Sequence, residues 1–366
     1  MSLLKEKKVC NAETMIQNEG WLQQFADGTR RRVVPLISQV GAACAMTSVR
    51  AVTSDADAHI RAIEALADRY PLDAFVTQMD LSVEAEALGT EVAMPETGMP
   101  YVARPLLRSA HDVHALVVPS LAHGRLPQYL RAVAGLSASL QRPVVATCTG
   151  PLTLASLLCG MSSLQELLHS NPTVVEQLLE KCILFLQIYA GELKRVGADG
   201  LLMAEPVAGL LPNDDCYRYS SVYIRRLADA VQDARFPLIL HNCGNRGQCT
   251  DAMVRSGASA LHFGNAADMV QALQTCPSHL VVMGNADPVG VLSRSTPDEV
   301  YDFTLRLLQR TSEFPNFVLS TGCDTPAAVS PESVDAYLRA VSRFNHFSGR
   351  CLEDNESTFC DIDIYP

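Results

Sequence analysis

The stretch Pro237–Asn245, PLILHNCGN, sets a histidine and a cysteine two residues apart at the end of an apolar run. Leu238, Ile239 and Leu240 read as a strand buried on both faces. Side chains two apart in a strand project the same way, so His241 and Cys243 point together and Gly244 then lets the chain turn. An imidazole and a thiolate on one face can bind a metal. They can also simply be packed together, because cysteine is among the most commonly buried residues. A second thiol, Cys323 in STGC, stands at the end of a later apolar run. One nitrogen and two sulfurs with a fourth position open is the ligand pattern of catalytic zinc, and thiolates disfavour magnesium and manganese. Cys249 is a spare ligand, in what reads as the start of the following helix. The set exists only if the fold joins segments about 80 residues apart.

Eight short runs read as buried strands followed by a turn: residues 33–38, 74–80, 143–150, 199–206, 237–244, 260–264, 279–285 and 316–323. Helix-period patterns lie between them, at 58–69, 174–196, 216–234, 297–309 and 331–344. Several open on cap signals, among them Asn171-Pro172, Ser295-Thr296-Pro297 and Ser330-Pro331. Strand–helix alternation repeated eight times predicts a closed parallel (β/α)8 TIM barrel. An open doubly wound sheet usually carries GxGxxG after its first strand, and QVGAACAMTS after Ser38 is not that. The span 81–142 exceeds one helix and predicts an insertion after the second strand, with an extended piece near 91–101 and a helix near 127–140. One domain is expected, with residues 1–32 as an N-terminal extension and 346–366 as an irregular C-terminal tail.

Active sites of this fold lie at the carboxyl ends of the strands. Those ends hold Asp80, the turn at Thr147–Gly150, Glu205, His241 with Cys243, Asn285 with Asp287, and Cys323 with Asp324. Turns are polar in any case, which accounts for Asp287 and Asp324. Thiols are not turn formers, so Cys243 and Cys323 call for another reason, and both ends face one mouth in a barrel.

The bulk composition excludes other classes. With 48% hydrophobic and 19% charged residues the chain is ordinary for a soluble protein. Its net charge of -11 argues against non-specific nucleic-acid binding. The dense basic run, Thr29–Arg32, reads as a solvated approach to the first strand. No apolar run reaches the roughly 18–20 residues that span a bilayer, and the first ten residues do not read as a secretory signal. A cytoplasmic protein is expected, in which the twelve cysteines are not a disulfide framework.

DLSVEAEALG (80–89), TGPLTLAS (149–156), HNCGN (241–245), GNADPVGVL (284–292) and STGCDTP (320–326) resemble the uroporphyrinogen decarboxylase superfamily, and within it the methylcobalamin:coenzyme M methyltransferase branch. The resemblance implies the same barrel and gives His241, Cys243 and Cys323 the family's zinc-binding role. Two departures stand out. Decarboxylases carry an arginine-bearing segment where this chain has ISQVGAA (37–43), so the anchors for a polycarboxylate tetrapyrrole are missing. Related zinc methyltransferases often have a glutamate near Asn265, which leaves the fourth zinc position to water or another oxygen donor.

What the resemblance implies chemically is transfer of a methyl group from a methylcobalamin-type corrinoid to a zinc-activated thiol such as coenzyme M. The corrinoid would arrive on a separate small corrinoid protein, since this chain has no Asp-x-His-x-x-Gly motif. Glu205 and Asp80 are candidates to orient the acceptor or handle its proton, or else to cap strands and bind backbone amides. Glu84 and Asn285 are candidates for substrate binding. A sulfonate acceptor needs a cation, for which Arg246 and Arg31 are the candidates. Uroporphyrinogen decarboxylation, or corrinoid or tetrapyrrole binding without turnover, are the alternatives.

Overall fold

The computed structural model describes residues 20–348. Seven of the eight predicted strands form one parallel sheet in the order β1 (Phe75–Val76), β4 (Val144–Thr149), β5 (Gly200–Ala204), β6 (Leu238–Asn242), β7 (Ala260–Phe263), β8 (Val281–Ala286) and β9 (Phe317–Thr321). The first predicted strand is reduced to one parallel bridge, Val33 to Leu319. Pro35 follows two residues later and has no N–H to give a ladder. This short segment still joins the two ends of the sheet. Val34 N donates to Leu319 O at 2.9 Å and Asp73 N donates to Val33 O at 3.1 Å. The Asp73 carboxylate also accepts from Val33 N at 2.7 Å. The sheet therefore curls into a barrel.

Alternation along each strand separates two apolar layers. Val34, Val76, Val145, Leu202, Ile239, Val281 and Val318 belong to the inner cluster, closed below by Leu22 and Phe25. Their neighbours Val144, Leu201, Leu238, Leu240, Phe317 and Leu319 pack outward under the helices. One period further along, the inward positions become polar. His241 follows Ile239, His262 follows Ala260, and Ser320 follows Val318. That change of layer marks the floor of the mouth.

The insertion contains a hairpin, β2 (Glu91–Ala93) against β3 (Tyr101–Arg104), and a helix at Leu126–Ser139. The predicted helices are present with shifted ends, at Ala56–Arg69, Pro172–Arg195, Pro297–Arg310 and Pro331–Phe347. The helix expected over 216–234 is instead Asn213–Cys216, a π-turn at Tyr217–Ser221, and Val222–Val231. Thr296 and Glu299 form a full capping box, whereas Asn171 precedes its helix without a side-chain cap bond. The tail predicted from 346 begins later, since helix continues to Phe347. Residues 1–19 of the predicted N-terminal extension and 349–366 of the tail lie outside the described residues.

One expectation is corrected. Arg31 is not solvated but 1% exposed, and its guanidinium donates to the carbonyls of Phe317 at 2.7 Å, Phe314 at 2.9 Å and Thr311 at 3.1 Å. These carbonyls lie at the amino end of β9, so Arg31 braces the base of the barrel, far from any acceptor at the mouth. Arg30 and Arg32 pair with Asp73 beside it.

Candidate metal centre

Two asparagines shape the loop that carries Cys243. Asn242 Oδ1 accepts from Gly244 N and Asn245 N, each at 3.1 Å. Asn245 Oδ1 accepts from Gly247 N at 2.8 Å and Cys249 N at 3.0 Å. Such side-chain-to-backbone bonds stand in for a regular turn. Cys323 is held from the other side: Thr321 Oγ1 donates to Cys323 O at 2.9 Å and accepts from Leu36 N at 2.9 Å. Glycines let these strand ends close up. A Cβ at Gly264 would stand 2.6 Å from Cys243 Cα, and one at Gly322 would stand 2.4 Å from Asn265 N.

Among the described residues, one set of three metal-competent side chains converges, His241, Cys243 and Cys323, with ligand atoms all within 4.8 Å of one another. His241 Nε2 is buried and has no hydrogen-bond partner among the described residues. That nitrogen faces the two thiols, with Cys323 its close neighbour, and one nitrogen with two sulfurs is a donor set that fits zinc. The two thiols influence each other strongly. A hydrogen bond from Cys323 holds the Cys243 thiol down at about 7, while the same contact and burial push Cys323 well above the usual thiol range.

Behind His241 lies a second histidine that strand-end reasoning passed over. His241 Nδ1 meets His262 Nδ1 at 2.8 Å, and His262 Nε2 meets Ser320 Oγ at 2.8 Å. Burial, reinforced by His241, keeps His262 well below the usual imidazole range and hence neutral. Its signal in sequence is its phase, inward on β7 at the residue paired with His241.

The other candidates are placed differently. Glu205 is 1% exposed and spends both oxygens on the helix at Pro151–Cys159. Oε1 accepts from Leu152 N and Ser220 Oγ, and Oε2 from Thr153 N, all at 2.8 Å. Asp80 accepts from Ser82 at 2.7 Å, Arg125 at 2.5 Å and Tyr129 at 3.1 Å. Asn285 Nδ2 donates to the carbonyls of Gly264 at 2.9 Å and Ala267 at 2.7 Å, pinning the loop that carries Asn265. Asn265 itself is exposed and donates to Asp287 at 2.9 Å.

Glu84 is the exception among the carboxyls. It accepts from Thr149 N at 3.0 Å, but its Oε2 is buried and unpaired. Burial raises its pKa to about 8, so it holds a proton at neutral pH. Beside Cys323, Asp324 collects Ser38 Oγ at 3.1 Å and Gln39 Nε2 at 3.0 Å, with Gln78 Nε2 at 3.4 Å. Burial lifts its pKa to about 6. Cys249 is fully buried and donates to Leu211 O at 3.0 Å, outside the converging set. Arg246 is exposed on the loop after Asn245.

A parallel barrel with a nitrogen–sulfur ligand set at the carboxyl ends of its strands defines a class of barrel enzymes whose chemistry sits at the mouth. The chain belongs to the uroporphyrinogen decarboxylase (URO-D) family, whose model matches residues 29–344. The methylcobamide:CoM methyltransferase MtbA of Methanosarcina mazei is 28% identical over 258 residues, 68% of this chain and 74% of that protein. The uroporphyrinogen decarboxylase of Methylococcus capsulatus is 26% identical over 289 residues, 76% of this chain and 81% of that protein. Among solved structures, a methyltransferase from Methanosarcina mazei shares the fold with a TM-score of 0.79 at 21% identity, covering 89% of this chain and 99% of that one.

Proposed function

We propose that this protein is a zinc-dependent methyltransferase that moves a methyl group from a methylated corrinoid to a thiol. The observation that carries the reading is the convergence of His241, Cys243 and Cys323, with the buried Nε2 of His241 facing both thiols. The similarity to a methylcobamide:CoM methyltransferase supports it. Bound by these three residues, zinc would deprotonate an acceptor thiol near neutral pH and hold its sulfur at the mouth. Two cysteine thiolates offset the ion's charge and so keep the acceptor sulfur nucleophilic. In the transfer, the sulfur's electron pair forms the new S–CH3 bond and the carbon–cobalt pair stays on cobalt. The corrinoid comes on a separate small protein that docks at the mouth, in the cytoplasm.

The remaining residues take supporting parts in this reading. Glu205 and Asp80 hold the frame around the mouth, since their oxygens are committed to backbone and side-chain donors. Glu84, protonated at neutral pH, is a buried carboxyl with a free oxygen able to donate a hydrogen bond to a substrate that reaches it. Asn285 fixes the loop bearing Asn265. A sulfonate acceptor such as coenzyme M would draw on Arg246, because Arg31 lies at the base.

Similarity to uroporphyrinogen decarboxylases covers a comparable share of the chain, so decarboxylation is the competing reading. It is disfavoured by the end of the first segment, where Ser38 and Gln39 stand and are bound to Asp324. The test is loss of the methylcobalamin spectrum on mixing zinc-loaded protein with free methylcobalamin and a thiol. Thiol-dependent loss that a chelator stops is expected. Consumption of uroporphyrinogen with no effect on methylcobalamin would replace this reading with decarboxylation, and binding of either without turnover would make it a carrier.

A further inference from the structure

We infer that His262 is a positioning residue of the metal centre: backed by Ser320, it fixes the tautomer in which His241 carries its proton on Nδ1 and presents a bare Nε2 to the ion. The inference rests on the zinc reading above and concerns how the ligand is oriented.

The argument begins with register. His241 and His262 are paired residues on adjacent parallel strands, β6 and β7. Both belong to the inward series, and their rings meet edge to face with centroids 4.6 Å apart. The 2.8 Å contact between the two Nδ1 atoms needs one proton between them. A neutral imidazole has one donor nitrogen and one acceptor. If that proton sits on His241, its Nε2 is a lone pair facing the two thiols. If it sits on His262, His241 must carry a hydrogen on Nε2, directed at Cys323 and in the place where the metal would bind. Only the first arrangement is compatible with ligation, and it requires His262 to donate through Nε2. Ser320 Oγ receives that proton at 2.8 Å. Both His262 and Ser320 are fully buried, so water does not compete for these bonds.

Partners of this kind orient metal-bound histidines generally, and are most often carboxylates or carbonyls. An imidazole does the same work without adding negative charge. Two thiolates already balance a divalent ion, and a carboxylate behind His241 would make the centre anionic.

The experiment is zinc affinity by competition with a chromophoric chelator for wild type, His262→Leu and His262→Asn. Leucine removes the acceptor. Asparagine places its Oδ1 close to where Nδ1 stands and accepts the same hydrogen bond. The leucine variant should bind zinc about 10–100-fold more weakly, and the asparagine variant should recover most of that loss. Wild-type affinity in His262→Leu would overturn the inference, and so would an equal loss in both variants, which would make the effect one of packing. Should His262→Leu fail to fold, 15N NMR of histidine-labelled, zinc-loaded wild type gives the answer directly. A protonated Nδ1 on His241 is expected, and a protonated Nε2 overturns the tautomer assignment. Zinc uptake that ignores His262 defeats only this inference, whereas a wild type that takes up no zinc defeats the metal centre as well.

Discussion

Cys243 and Cys323 share one environment and reach opposite acidities, because a single thiol proton bridges them. In metal-free protein Cys243 is therefore the reactive thiol. Alkylation by iodoacetamide should fall first on Cys243 with a midpoint near pH 7, as its lowered value of about 7 requires, and added zinc should protect it. First labelling at another half-buried cysteine, such as Cys44, would contradict the coupling. Glu84 makes a prediction of opposite sign. The folded chain holds that proton up to about pH 8, while an unfolded glutamate releases it near 4.5. Between these values the folded state binds the extra proton, so stability is full below about pH 4.5 and declines as pH rises toward 8. Glu84→Gln should flatten that decline and raise stability at pH 8 by about 2–4 kcal/mol, measured by urea unfolding across pH 5–9. An unchanged pH profile would show that Glu84 is ionised when buried. At this scale the convergence of His241, Cys243 and Cys323 is legible, because thiols at strand ends have no turn-forming reason to be there. His262 is not, because a lone histidine in ALHFG looks like core, and Ser320 lies 58 residues away.

Most elements could be read directly from the chain, and the departures have local causes. The strand runs are apolar on both faces, as a sheet covered by helices demands, and seven of the eight form the sheet. The first strand shrinks to a bridge because Pro35 breaks its ladder. The basic run misleads because the carbonyls that pair with Arg31 come from residues 311–317, which no local pattern reveals. Glu205 joins two elements, β5 and the helix at Pro151–Cys159, by accepting from Leu152 N and Thr153 N, buried donors of that helix's first turn that have no intrahelical acceptor. Glu205→Ala should cost about 2–4 kcal/mol of stability by leaving those donors buried and unpaired, while zinc content is retained. Loss of zinc with unchanged stability would give Glu205 a direct part in the centre. Thr296→Ala, which removes half of a capping box at the surface, should cost about 1 kcal/mol in the same assay.

For the whole molecule, barrel closure is what brings three separated side chains into one cluster. β6 and β9 are not neighbours, with β7 and β8 between them, yet the curl of the sheet turns both ends toward one mouth. No helix among the described residues is long and apolar enough to cross a membrane, and a net charge of -11 leaves little to hold nucleic acid. The candidate centre, His241 with Cys243 and Cys323, lies where the strand ends converge. The measurement that tests this most directly is metal analysis of protein purified without added zinc, alongside Cys323→Ser. About one zinc per chain, lost in the variant while the fold survives by circular dichroism, is the result expected. Protein free of zinc in both samples, or fully loaded in both, would contradict it.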